Sequence, residues 1–127
     1  MTIVASGDVV AARQAVRSLA QQAGLSLVEQ TKLVTAASEL ARNTLVYGGG
    51  GRMEAYGVQA DGRRGVRLRF ADSGPGIPDV DLALTDGWTS GKGMGLGLSG
   101  AKRLVDEFQL ETEVGKGTVV TVVKWAR

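Results

Sequence analysis

Apolar residues recur at helical spacing in two long stretches, and beyond residue 52 the rhythm changes to alternation. In the first stretch Val9, Ala12, Val16, Leu19 and Ala23 share one face, with Asp8 as the expected N-cap and Gly24 as the stop. A short strand over residues 2–5 precedes it. In the second stretch Ser26 and Glu29 form a Ser-x-x-Glu capping box, and Leu33, Val34, Ala37, Leu40, Ala41 and Leu45 supply the buried stripe. This helix is expected to end at Gly48-Gly49-Gly50-Gly51. Residues 52–58 and 66–71 read as strands joined by a turn at Asp61-Gly62, and Val66, Leu68 and Phe70 alternate with Arg67 and Arg69, which implies one buried face. Residues 73–94 keep no period and are expected to form a loop or mobile lid. A third helix from about Leu96 should carry Leu98, Ala101, Leu104, Val105 and Phe108 inward. Residues 109–114 and 118–125 then make a hairpin around Gly115-Lys116-Gly117, with Val119, Val120, Val122 and Val123 indicating a strand buried on both faces. About three helices on one face of a mostly antiparallel sheet of about five strands make an α+β, two-layer sandwich.

Composition narrows this picture. A chain of 127 residues with 43% hydrophobic content supports one core, so residues 1–127 are expected to form a single domain. The 19 glycines, against two prolines, cluster at residues 48–51, 74–76 and 91–100, which marks site chemistry rather than low complexity. The absence of cysteine removes disulfides and thiolate chemistry. The absence of histidine leaves acid–base work to a carboxylate, a lysine or a tyrosine. No signal-peptide pattern or membrane-length apolar run is present, so the expectation is a cytoplasmic protein without a membrane partner. A net charge of +2 names no partner. Arg63, Arg64, Arg67 and Arg69 fit a hairpin tip and an outer strand face without interleaved aromatics, so nucleic acid is not expected.

Three segments concentrate the candidate chemistry. Glu39 and Asn43, at i and i+4, lie on one helix face, where a carboxylate can polarise a nucleophile and a carboxamide oxygen can ligate a metal. Asp72 falls at a strand end before Ser73-Gly74-Pro75-Gly76-Ile77, where its carboxylate can accept a hydrogen bond from the exocyclic amine of adenine. Guanine presents a carbonyl at that position, so the same site should reject GTP. Gly93, Gly95 and Gly97 lead into a helix and offer backbone amides to a triphosphate, with Lys92 as the nearest cation and Lys102 and Arg103 further along. The Gly95-to-Gly100 pattern also fits a dinucleotide fingerprint, but no strand precedes it. In this reading the glycines bring bare backbone up to a ligand.

Glu39-Leu40-Ala41-Arg42-Asn43, Asp72-Ser73-Gly74-Pro75-Gly76, Gly91-Lys92-Gly93-Met94-Gly95-Leu96-Gly97 and Gly115-Lys116-Gly117-Thr118 resemble, in order, the N-box, the two glycine boxes and the terminal Gly-x-Gly-Thr of the GHKL ATPases, the Bergerat fold. Within that superfamily the small size, the Glu-Leu-Ala-Arg-Asn string and Thr85-Asp86-Gly87-Trp88-Thr89 resemble the RsbT-type switch serine/threonine kinases, relatives of the anti-sigma-factor kinases. The resemblance implies a Bergerat-type ATP-binding kinase domain with a lid at about residues 77–95. It implies ATP and Mg²⁺ as cofactors, Glu39 as the catalytic residue and Asn43 as the metal ligand. Nucleotide contacts are implied for Asn43, Asp72, Gly74, Gly76, Ile77, Lys92, Gly93, Met94, Gly95, Leu96, Gly97 and Thr118. Thr118 is expected to bond adenine or the Asp72 carboxylate through its hydroxyl.

The implied function is phosphorylation of a small STAS-domain antagonist in a partner-switching pathway of the stress or sigma-factor kind, with a second regulator such as a phosphatase or sigma factor downstream. The alternative is a non-catalytic nucleotide-binding module that sequesters a regulator. A detached histidine-kinase ATP domain is a third possibility, and lacking histidine it would need a separate phosphoacceptor. Trp88 stands as either a lid-packing or a partner-facing residue.

Overall fold

The structure, a computed structural model, describes residues 1–84 and 98–126. In chain order the elements are β1 (Thr2–Ile3), α1 (Ser6–Gln22), α2 (Leu27–Val46), β2 (Gly51–Ala60), β3 (Arg63–Asp72), α3 (Val80–Ala83), α4 (Leu98–Leu104), β4 (Glu107–Glu113) and β5 (Gly117–Trp125). The strands form one sheet in the order β1-β2-β3-β5-β4, and every neighbouring pair is antiparallel. The expected α+β sandwich is the observed one.

Alternation decides which face of the sheet the helices cover. Val66, Leu68 and Phe70 of β3 stand beside Met53 and Ala55 of β2 and beside Val120 and Val122 of β5, and they join the core with Leu33, Ala37 and Leu40 of α2. Arg67 and Arg69 point to the other face, where Arg69 meets Glu54 at 2.9 Å. Val122 and Val123, on opposite faces of β5, are both buried, as the run of valines predicts. The β2–β3 turn takes Asp61 at φ 53° and Gly62 at φ 76°, the left-handed pair that a two-residue hairpin requires.

Three local expectations are corrected. Asp8 is not the N-cap: α1 starts at Ser6, and Asp8, inside its first turn, accepts the N–H groups of Val4 and Ala5 at 3.0 Å each. The carboxylate therefore caps the helix from within, satisfying donors ahead of it. Phe108 belongs to β4 and not to the third helix, because α4 ends at Leu104. The spacing from Leu104 to Phe108 matches a helix face by coincidence, whereas Phe108, Leu110 and Thr112 alternate with exposed Glu107, Gln109, Glu111 and Glu113 at the period of a strand. Within the span read as a lid, Val80–Ala83 forms a short helix. Residues 85–97, which include the later part of that span and Trp88, lie outside the described residues.

The start of α2 follows the sequence pattern closely: Ser26 Oγ accepts Glu29 N–H at 3.2 Å, and Glu29 accepts Ser26 N–H at 3.1 Å. Replacing Ser26 by alanine removes one arm of this box. Ser26→Ala should therefore lose about 1 kcal/mol and lower the thermal midpoint by roughly 4 °C, read by circular dichroism.

Candidate functional site

The last turn of α2 leads into a run of glycines that passes the end of β3. The carbonyl of Asn43 accepts the N–H groups of Tyr47 and Gly48 at 3.0 Å each, so the chain leaves the helix directly beneath the asparagine. Gly48 then lies on the side chain of Asp72, so closely that a Cβ on it would overlap the carboxylate. Gly74 in turn lies on the backbone of Gly48. Gly48, Gly49, Gly50 and Gly51, together with Asp72 and Ser73, line a cavity of about 350 Å³.

Asp72 ends β3 opposite Thr118 of β5. Its carboxylate accepts Gly74 N–H at 2.9 Å. Burial pushes the carboxyl above its ordinary value of 3.8, and hydrogen bonds from the backbone N–H groups of Gly74 and Thr118 pull the other way. It is therefore the backbone of Thr118 that faces this carboxylate. The Thr118 hydroxyl meets the Thr112 hydroxyl at 2.9 Å, and the residue is buried.

Asn43 is also buried, and its side-chain Oδ1 has no hydrogen-bond partner among the described residues. An orphaned carboxamide oxygen is costly unless something fills its lone pairs. A hard cation such as Mg²⁺ would do so, and the donor fits that group. One turn earlier, Glu39 is partly exposed and paired with Arg42 at 3.2 Å. An exposed i, i+3 pair of this kind contributes only a few tenths of a kcal/mol.

The segment from Gly74 to Ile77 is held from several sides. Tyr47 donates its hydroxyl to Gly76 O at 2.9 Å, Gly115 N–H bonds Pro75 O at 2.8 Å, and Thr112 Oγ1 accepts Ile77 N–H at 2.8 Å. Thr112 also reaches Gly117 O at 3.1 Å. Ile77 itself is buried in the core. Gly76, at φ 76°, packs on the carbonyl of Glu113, and Gly117, at φ 117°, packs on the carbonyl of Asp72. These two glycines let backbone approach backbone, a requirement the sequence reading did not identify.

The structure thus gathers Asn43, Asp72, Gly74, Gly76, Ile77 and Thr118 at one end of the sheet, with Glu39 on the same helix. Lys92, Gly93, Met94, Gly95, Leu96 and Gly97 lie outside the described residues. Lys102 and Arg103 are exposed on α4. Tyr47 and Thr112 were missed by sequence reasoning. Tyr47 carried a signal, as an aromatic at a helix end beside a glycine run, whereas Thr112 is an ordinary strand threonine whose importance lies in its long-range partner.

Comparison with known proteins places these features in context. Residues 5–124 match the family described as a histidine kinase-like ATPase domain. The serine/threonine-protein kinase RsbT of Bacillus subtilis (strain 168) is 42% identical over 125 residues, covering 98% of this chain and 94% of the relative. An anti-sigma F factor of Geobacillus kaustophilus (strain HTA426) is 30% identical over 120 residues, covering 89% of this chain and 81% of that protein. Among solved structures, the catalytic domain of the histidine kinase ThkA aligns with a TM-score of 0.54 at 20% identity, over 75% of this chain and 66% of that one, a likeness of fold.

Two measurements test the geometry of the loop and of the carboxylate. Thr112→Val keeps the shape of the side chain while leaving Ile77 N–H without its acceptor, and should lower stability by about 1–3 kcal/mol in urea unfolding. A carboxyl whose folded pKa is raised stabilises the fold fully only while protonated, and this contribution is lost as pH climbs past 3.8 and through the raised folded value. The thermal midpoint of Asp72→Asn relative to the wild type should therefore increase as pH rises through that window. A difference that stays flat or reverses across it would exclude burial as the dominant influence on Asp72.

Proposed function

Since the chain belongs to the family of histidine kinase-like ATPase domains, we propose that it is an ATP-dependent serine/threonine protein kinase of the switch type, phosphorylating a small STAS-domain antagonist in a partner-switching pathway of the stress or sigma-factor kind. The observation that carries this reading is the 42% identity to the kinase RsbT across nearly the whole of both chains. The clustering of Asn43 and Asp72 at one sheet end is what such an activity requires. Identity to the anti-sigma F factors is lower, at 27–30%, which favours the kinase over a purely sequestering module.

In this reading the exocyclic amine of adenine donates to Asp72, whose acceptor-only carboxylate selects ATP over GTP. Asn43 offers its buried Oδ1 to Mg²⁺, which when bound neutralises charge on the phosphates. Glu39 orients the substrate hydroxyl. It must first leave Arg42, and an exposed pair gives way readily. The hydroxyl oxygen then bonds to the γ-phosphorus, the bond to the β–γ bridging oxygen breaks to release ADP, and the proton passes to Glu39. Gly93, Met94, Gly95, Leu96 and Gly97, with Lys92, are assigned to the triphosphate on sequence grounds within a lid at about residues 77–95.

The proposed partners are the STAS-domain substrate and a second regulator, a phosphatase or a sigma factor, released or captured by phosphorylation. The setting proposed is the cytoplasm. Among the described residues no helix is long and apolar enough to cross a membrane.

Calorimetric titration with ATP, ADP and GTP in the presence of Mg²⁺ should give saturable binding of ATP and ADP, no GTP binding, and loss of ATP and ADP binding in Asp72→Asn. Glu39→Ala should keep ATP binding while phosphotransfer to a STAS-domain substrate falls by at least about 100-fold. Unchanged phosphotransfer in Glu39→Ala would remove Glu39 from the mechanism. Absent ATP binding by the wild type would favour the non-catalytic module.

A further inference from the structure

The two edges of the sheet are finished in opposite ways. β4 forms one edge, and its outward side chains Glu107, Gln109, Glu111 and Glu113 are all exposed. An antiparallel copy of β4 laid along this edge would set carboxylate against carboxylate, a common protection against edge-to-edge pairing.

The other edge lacks this protection. β1 pairs with β2 only at Gly51 and Arg52, and Met1 extends the contact to Met53, whose N–H bonds Met1 O at 2.9 Å. Met53 therefore turns its backbone groups away from β3, and by the alternation of an antiparallel ladder Ala55, Gly57 and Gln59 do the same. Among the described residues no strand lies beside residues 54–60, and these outward N–H and C=O groups have no hydrogen-bond partner. Ala55-Tyr56-Gly57-Val58-Gln59-Ala60 carries no charge. Its neighbour Glu54 is already engaged with Arg69, and Tyr56 is 41% exposed.

We infer that this edge of β2 pairs antiparallel with the same edge of a second copy, forming a dimer about a two-fold axis through Gly57. The register is self-complementary. Gly57 faces Gly57, and Ala55 faces Gln59 of the second copy, so residues with outward backbone groups meet one another and each pair exchanges both N–H···O=C bonds. Tyr56 then lies opposite Val58 of the second copy, an aromatic and β-branched pair at the closer, non-hydrogen-bonded spacing. Glu54 falls opposite Ala60, so no like charges meet. The absence of charge from this stretch, set against the carboxylate-lined β4, makes β2 the edge that accepts its own kind. Gly57 lies six residues along β2 from Gly51, the partner of Asp72, so the axis is roughly 20 Å from the candidate site and leaves it open.

Sedimentation velocity on the full chain across the micromolar range tests this. The wild type should show twice the 13.2 kDa chain mass. The double variant Tyr56→Lys with Val58→Lys opposes lysine to lysine in both cross-strand pairs, and should halve that mass while keeping a cooperative thermal transition. Tyr56→Glu with Val58→Lys opposes glutamate to lysine and should restore the dimer. Gln109→Lys, on the β4 edge, should leave the mass unchanged. A wild type that stays monomeric throughout the range overturns the inference and leaves the edge to an extended segment of another protein. A dimer that survives the lysine pair, or a folded Glu/Lys variant that stays monomeric, overturns the Gly57-centred pairing.

Discussion

The close approach of four backbone segments at one end of the sheet is the constraint on which this structure depends. The exit from α2 at Gly48, the end of β3 at Asp72, the turn at Gly74 and the start of β5 at Gly117 meet with no side chain between them except the Asp72 carboxylate. Any Cβ at Gly48, Gly74 or Gly117 would collide with backbone or with that carboxylate. The helix can therefore end over the sheet only if glycines occupy these points. The same packing takes the carboxylate partly out of water and raises its pKa. Fold closure and the chemistry of Asp72 share one cause.

How much of this could be read from the sequence depended on the range of the interactions. The Ser26–Glu29 box, the α2 stripe and the Val66-Leu68-Phe70 alternation are local patterns, and the structure reproduces them. The grouping of Asn43 with Asp72 as an expectation followed from the resemblance of the motifs to a known family. The reason for the glycines did not, because a glycine that admits a ligand and one that admits another backbone look alike until the fold is known. Thr112 was invisible for the same reason: its hydroxyl joins Ile77, Gly117 and Thr118 only after β4 has paired with β5. Phe108 was misassigned because one spacing of four satisfied a helix while the alternation that follows it specified a strand.

The opposite end of the sheet is closed by polar contacts. Asp106, at the junction of α4 and β4, accepts Trp125 N–H at 2.7 Å and lies 3.4 Å from the buried Lys124 ammonium. The Trp125 indole donates to Glu107 at 2.7 Å, and the Arg63 guanidinium stands 5.1 Å from the ring centroid. These contacts tie β5 to β4 and to the tip of the β2–β3 hairpin. They help hold the long central strand in register, which in turn keeps Thr118 opposite Asp72.

The buried polar groups consequently fall into two kinds. Glu29 caps the helix it belongs to, Lys124 has Asp106, and Thr118 has Thr112. Each has a hydrogen-bond or ion-pair partner within the protein, and each sits where an element begins or two strands must register. Asn43 differs in its place: like Gln30 Oε1 and Arg67 Nε, its Oδ1 is buried with no hydrogen-bond partner among the described residues, but it lies on the last turns of α2, above the end of β3. Asp72 differs too, since it is held in a form that burial disfavours. Leaving such groups incompletely satisfied lowers stability by an amount that a hydrophobic or internally paired residue would avoid. A fold can keep that deficit when a ligand's atoms complete the missing interactions, and here both deficits lie at the end of α2 and the sheet end it overlies. The unpartnered Asn43 Oδ1 and the Asp72 carboxyl with its raised pKa lie at the same end of the fold, and a nucleotide bound there, as proposed, would complete both.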